Sequence, residues 1–256
     1  MHRRTVVSGL TALALAMGAM GAGAAFAAVP ASITAALADK ARPAADTARD
    51  AARKPGELLA LAGVKPGQKV TDFMMGGGYF TRILAPAVGY KGHVTGFQCL
   101  EFIKFRAAYG TEQSGVVADY KNASAVTGPL SATGLPEGQD LVLTVQNYHD
   151  LHLPAFAAGT ADSINKQIFK ALKPGGIYLI VDHAAAAGAP VAETANKLHR
   201  IDEAVVKKEV EAAGFKLVTE DDKLLGNAAD DHTINVFQPA IRGKTDQFVL
   251  KFQKPK

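Results

Sequence analysis

The sequence predicts an α/β domain built on a mostly parallel, doubly wound sheet, and three observations carry that prediction. A short apolar run holding a carboxylate, Val70 to Met74, meets three consecutive glycines, and Tyr79 to Val88 then takes up helical periodicity. Compact apolar runs recur at Asp140–Val145 and Gly176–Val181, each bounded by turn residues. Near the C-terminus, Glu211-Ala-Ala-Gly-Phe-Lys-Leu-Val218 leads from a helix into a strand. Strands alternating with helices belong to one parallel sheet.

Taken in order, the chain begins with a basic stretch, Met1 to Arg4, followed by a small-residue apolar run that ends in Ala25-Phe-Ala27. This pattern reads as a secretory signal over residues 1–27, removed to leave Ala28 as the first residue. An N-terminal membrane anchor is the alternative. The adjacent Arg3 and Arg4 fit twin-arginine export, so an exported, periplasmic protein is expected, with no stable membrane span once the signal is gone. Losing those two arginines takes the formal charge from +4 to +2.

Residues 28–62 are Ala-rich with helical spacing broken at Pro43 and Pro55, which predicts two or three helices beside the sheet, able to cover a ligand site. Residues 63–256 hold the main domain. Strands are expected near 68–73, 93–97, 123–127, 140–145, 176–181, 214–219 and 246–253, with helices near 79–88, 100–109, 161–172 and 202–213. Asp202 is placed as a helix N-cap. Two long loops remain, 182–202 and 220–245, and long loops in a compact domain are more often functional than idle.

Composition narrows the function classes. With 256 residues, 48% of them hydrophobic, the chain has enough apolar surface for a full core. No basic stripe with interleaved aromatics is present, so nucleic acid is not expected as a partner. The single cysteine, Cys99, supports neither an intrachain disulfide nor a thiolate zinc site.

The glycine turn carries the functional reading. Gly76, Gly77 and Gly78 permit positive φ and close approach of backbone to a ligand, and free N–H groups at the following helix start favour a polar or anionic group. The turn from Asp72 to Gly78, the Asp140 strand, Leu172-Lys-Pro-Gly-Gly176 and Ala213-Gly-Phe215 together resemble the class I S-adenosylmethionine-dependent methyltransferases, over about residues 45 to 253. More narrowly, the chain looks like a group of predicted bacterial methyltransferases. That group shares the Gly-Gly-Gly-Tyr-Phe-Thr turn, Asn147-Tyr-His-Asp150, Leu198-His-Arg-Ile-Asp202 and Arg242-Gly-Lys-Thr-Asp246. The resemblance implies a Rossmann-like sheet, mostly parallel with an antiparallel C-terminal strand, S-adenosylmethionine as cofactor and a small-molecule acceptor.

It also implies a site. Asp72, Gly76, Gly77, Gly78, Tyr79, Gln98, Glu101 and Asn147 are expected to hold the cofactor. The C-terminal strand ends, where open parallel sheets bind ligands, carry Asn147 to Asp150 and Asp182-His183. His149, Asp150 and His183 are the catalytic candidates, and Tyr148, His199, Arg200, His232, Arg242 and Lys244 the candidates for holding substrate. His152 reads as a cap on the next helix. A metal held by His149, Asp150, His152 and His183 is a further alternative, and no metal is assigned.

Three positions depart from the family pattern. Met74 stands where a glycine is usual, Gln98 where a carboxylate accepts the ribose hydroxyls, and Gly128-Pro-Leu-Ser131 where an acidic residue lies near the adenine. Export would also part the protein from the cytoplasmic supply of the cofactor. A non-catalytic small-molecule binding protein on the same scaffold is therefore the competing reading. A nucleotide-dependent oxidoreductase fits less well, because Gly76-x-Gly78-x-x-Thr81 lacks the third glycine of the dinucleotide fingerprint.

Overall fold

The computed structural model describes residues 28–256, so the signal segment read from residues 1–27 lies outside the described residues. Four short helices open the described part of the chain: α1 (Ala31–Leu37), α2 (Ala44–Thr47), α3 (Asp50–Arg53) and α4 (Pro55–Ala62). The prolines open helices here rather than interrupt one. Pro30 and Pro43 stand at the N-caps of α1 and α2 and Pro55 at the first turn of α4, where a fixed φ and a missing N–H cost nothing. Lys54, left-handed at φ 41°, separates α3 from α4. The buried Arg42 ties the segment together, donating to both carboxylate oxygens of Asp50 at 2.7 and 2.6 Å and to the carbonyl of Leu37 at 2.9 Å.

The sheet has seven strands: β1 (Lys69–Phe73), β2 (His93–Cys99), β3 (Ala123–Gly128), β4 (Gln139–Val145), β5 (Leu172–His183), β6 (Lys216–Asp221) and β7 (Gln247–Gln253). Their order is β3-β2-β1-β4-β5-β7-β6. Strands β1 to β5 pair in parallel, and β7 runs antiparallel to both β5 and β6. The antiparallel C-terminal strand is as the sequence predicts. The order reverses between β1 and β4, which places a topological switch point at their C-terminal ends.

Both faces of the sheet are covered, so its central strands read as continuous apolar runs rather than alternating ones. Leu141 and Leu143 face one core together with Val70, Val94 and Leu179, closed by α1, α4 and α5 (Thr81–Val88). Val142 faces the other, with Phe73, Phe97, Tyr178 and Phe252, closed by α8 (Thr160–Ala171) and α10 (Glu203–Ala212). Asp202 caps α10 as expected, its side chain accepting from the N–H of Ala204.

Besides the N-terminal segment, which forms four helices where two or three are expected, two helical segments differ from the sequence expectation. The single helix near 100–109 is two, α6 (Leu100–Phe105) and α7 (Ala108–Ala118), parted by extended backbone at Arg106. Periodicity misses α7 because it has no apolar stripe. Its buried residues are Val116 and Gln113, and the Gln113 amide donates to the carbonyls of Gly96 on β2 and Val126 on β3 at 2.8 and 2.9 Å. The long segment 182–202 contains α9 (Val191–Leu198). Among the described residues, no helix is long and apolar enough to cross a membrane.

Candidate active site

Beyond the C-terminal ends of β1, β2, β4 and β5 lies a cleft of about 940 Å³. The β1 turn supplies its floor, and Arg49 and Arg53 line it from the N-terminal helices. Val236 and Phe237 close it from the segment between β6 and β7. Four described non-glycine residues have left-handed backbone: Lys54, Met74, Gln146 and His199, at φ 41°, 56°, 62° and 54°. The last three all line the cleft. Backbone strain of this kind persists only where the surroundings enforce it, and it gathers at functional sites.

The turn after β1 is held from several sides. Gln98, at the end of β2, accepts a hydrogen bond from the N–H of Gly76 at 3.0 Å. Asn147 donates its side-chain N–H to the carbonyls of Met74 and Val145 at 3.2 and 2.9 Å. Met74 sits where the methyltransferase pattern has glycine, and its φ of 56° shows why glycine is usual there. Its side chain joins the core beside Phe73. Gly76 and Gly77 line the cleft. Gly78, expected to do the same, faces α7 instead: a Cβ there would lie 2.7 Å from both γ-carbons of Val116. It permits close helix packing.

Asp72 is buried and accepts from the hydroxyl of Thr81 at 2.7 Å. Burial pushes its carboxyl up to about 6, against the stabilising Thr81 hydrogen bonds and the nearby Arg53. Glu101 lines the cleft, and its carboxylate accepts from the N–H of Leu130 at 3.0 and 3.2 Å, fixing the segment after β3. Gly128 begins that segment because a Cβ would meet the Thr133 carbonyl oxygen at 2.6 Å. Close backbone contact and the Glu101 carboxylate from α6 occupy that corner, in place of an acidic residue at the end of β3 itself.

Tyr79 donates its hydroxyl to Asp50 at 2.6 Å, and its ring lies among the guanidinium groups of Arg42, Arg49 and Arg53 at 5.7, 4.8 and 4.6 Å. Of the cleft arginines, Arg49 and Arg82 share Asp46, each at 2.9 Å. Arg53 has no ion pair among the described residues. It donates to the side-chain oxygen of Gln146 at 3.3 Å, and its buried Nε has no partner. Burial pushes its guanidinium down to about 10, with Arg49 adding to the effect. Sequence reasoning missed Arg53. The one available signal was a pair of arginines four residues apart, Arg49 and Arg53, in an Ala-rich helical stretch.

A short 3₁₀ turn, His149–His152, follows β4. The main-chain N–H of His149 donates to Asp182 at 2.7 Å, and its Nδ1 lies 2.8 Å from the other oxygen of that carboxylate. Its Nε2 is 3.3 Å from Asp150 Oδ1 and 3.3 Å from His199 Nδ1. Burial disfavours charge on this ring, but Asp182 and Asp150 outweigh it and push the imidazole up to about 10. Burial also disfavours charge on Asp150, whose carboxyl His149 and His199 nonetheless hold below its usual range. His183 behaves oppositely. Burial pushes it down to about 4 despite the attraction of Asp182, and its Nδ1 pairs with Thr245 Oγ1 at 2.7 Å. His149, Asp150, His183 and His199 all line the cleft.

The structure places five substrate candidates elsewhere. Tyr148 is fully buried, donating to Glu209 at 2.9 Å and accepting from Asn165 at 2.8 Å, because the turn rotates it into the α8–α10 core. Arg200 is buried in an ion pair with Asp230 at 2.7 Å and anchors the segment between β6 and β7 through the carbonyl of Ile234. His232 pairs with Asp246 at 3.1 Å, Arg242 lies over the ring of Phe237, and Lys244 borders a separate shallow pocket. His152 pairs with Glu209 at 3.1 Å.

No family model matches the chain. The fold is shared with solved structures. A SAM-dependent methyltransferase from Aquifex aeolicus superposes with a TM-score of 0.53 at 19% identity, covering 80% of this chain and 97% of that one. This is the class I methyltransferase fold. An arsenic(III) S-adenosylmethionine methyltransferase from Chlamydomonas reinhardtii gives a TM-score of 0.50 at 16% identity, over 89% of this chain and 74% of its own. The [4+2]-cyclase SpnF has the same class I fold, with a TM-score of 0.56 at 16% identity over 80% and 81% of the two chains. A protein named as a cyclase on this scaffold means that function must be argued from the site.

Proposed function

We propose that the chain is an exported S-adenosylmethionine-dependent methyltransferase acting on a small-molecule acceptor. The observation that carries this reading is Arg53, which has no ion pair and no partner for its buried Nε among the described residues, and which lines the same cleft as the Gly76–Gly77 backbone at the switch point of the sheet. These groups fit the cofactor. Arg53 suits its carboxylate, Gln98 and Glu101 line the cleft at the end of β2 for the ribose, and Phe102 and Tyr109 offer an aromatic wall for the purine.

When bound, the cofactor supplies a methyl group already activated by a sulfonium, so positioning accounts for most of the catalysis. The chain's own task is to set an acceptor in line over the end of β4. Asn147 and Gln146 fix the turns there. With no ion bound, Asp182 and Asp150 favour the protonated form of His149, which then orients or donates. His183 is neutral, and its Nε2 has no partner among the described residues, so it is the group in the right state to accept a proton.

One observation favours the non-catalytic alternative: the polar groups of His149 and the side-chain oxygen of Gln98 already have partners within the protein. Native mass spectrometry of protein purified from its own host separates the readings. A retained S-adenosylmethionine or its demethylated product supports the methyltransferase, and a retained molecule without adenosine supports a binding protein. Export rests on the basic start and Ala25-Phe-Ala27. N-terminal sequencing should give Ala28, and an intact Met1 on soluble cytoplasmic protein would remove that part of the proposal.

A further inference from the structure

We propose that His149, Asp150 and His199 form a three-ligand site for a divalent transition-metal ion, with zinc as the reference ion. Nε2 of His149, Oδ1 of Asp150 and Nδ1 of His199 lie within 4.8 Å of one another. The individual separations are 3.3, 3.3 and 3.8 Å. Ligand atoms bonded at about 2.0–2.1 Å to a tetrahedral ion stand about 3.3 Å apart. Two of the three pairs already have that spacing, and the third needs a shift of about half an ångström.

The surroundings hold the ligands in the required orientation. A metal-binding imidazole commonly gives its second nitrogen to a carboxylate, which fixes the ring and raises its basicity. Asp182 fills that place for His149, at 2.8 Å from Nδ1, and is itself fully buried and held by the main-chain N–H groups of His149 and His183. His199 is the C-cap of α9 and is kept left-handed at φ 54°, with its ring 4.6 Å from that of Phe237. That strained backbone brings the imidazole back across the cleft onto the turn after β4. Two carboxylates, Asp150 and Asp182, also balance a doubly charged ion.

The donor set selects the class of metal. Two imidazole nitrogens and one carboxylate oxygen suit zinc and its first-row neighbours, whereas calcium and magnesium prefer all-oxygen sites. Among the described residues, the ligand atoms that converge are those of His149, Asp150 and His199, and neither His152 nor His183 belongs to the group. Three protein ligands lining a cleft leave a coordination position for a small molecule, as in catalytic rather than structural sites. On the methyltransferase reading, an acceptor oxygen bound there would lose its proton more readily. The ion's binding does not depend on that reading.

The test is calorimetric titration of chelator-treated protein with zinc alone at neutral pH. One saturable site of micromolar or tighter affinity is expected. His199→Ala, at a partly exposed position, should weaken it by at least about tenfold while the melting profile of the metal-free protein is retained. His232→Ala, outside the cluster, should leave it unchanged. Absence of saturable binding, or equal affinity in His199→Ala, would overturn the site. Binding of the demethylated cofactor is measured separately, so zinc without cofactor binding keeps the metal site and removes the methyltransferase reading, and the converse removes only the metal site.

Discussion

The side-chain oxygen of Gln98 accepts the main-chain N–H of Gly76 at 3.0 Å, joining the end of β2 to the turn after β1. The residue that replaces the usual carboxylate thus keeps a structural task that either side chain performs. The difference lies toward the cleft, where an amide offers a cofactor's hydroxyls a neutral partner and a carboxylate a charged one. Charge-assisted hydrogen bonds are roughly twice as strong as neutral ones. Gln98→Glu should therefore tighten binding of S-adenosylhomocysteine by about tenfold, roughly 1.4 kcal/mol, in calorimetry. Unchanged or weaker binding would place the adenosine elsewhere.

Arg53 makes a chemically selective prediction. Arg53→Ala should weaken S-adenosylhomocysteine by about 10- to 100-fold, the range of a lost charge-assisted contact. It should leave methylthioadenosine, which lacks the amino-acid carboxylate, nearly unaffected. Equal losses for both ligands would show that Arg53 shapes the cleft without meeting the carboxylate.

Gly78 should prove to be a packing residue. Gly78→Val drives side-chain atoms into Val116 and places a β-branched residue at φ 79°. A loss of about 2–4 kcal/mol is expected, seen as a fall of several degrees in Tm, with ligand affinity of the folded fraction retained. Loss of affinity without loss of stability would return Gly78 to the binding surface.

Asp72 gives a pH dependence with a definite sign. Its folded carboxyl titrates near 6 against an ordinary value of 3.8, so the folded state holds the proton more tightly than the unfolded chain. That contribution is fully present below about pH 4 and is lost as pH rises through 6, by up to roughly 3 kcal/mol. Asp72→Asn keeps an acceptor for Thr81 and removes the titration. Melting curves between about pH 4 and 8 should fall more steeply for the wild type than for the variant. Parallel curves would show that Asp72 is not the source.

The central strands β1, β4 and β5 were legible because they are buried on both faces and bounded by turn residues, so each shows as an apolar run. Helix α7 was not, because beside Val116 it buries a glutamine bonded to strand carbonyls rather than an apolar stripe. Asn147 to Asp150 stand out in the sequence as a polar stretch after a buried strand, and Asn147, His149 and Asp150 line the cleft. Which of its side chains face the cleft depends on a 3₁₀ turn that sends Tyr148 inward and His149 outward, and spacing alone does not encode that. Arg53 and His199 reach the site only through tertiary packing, one from the N-terminal helices and the other from a left-handed C-cap.

The central claim, that this cleft takes a sulfonium cofactor, is tested most directly by calorimetric titration of the wild-type protein with S-adenosylhomocysteine. The structure predicts one site of micromolar affinity, weakened by Arg53→Ala. No detectable binding at millimolar ligand, with the protein folded by its melting curve, would contradict it.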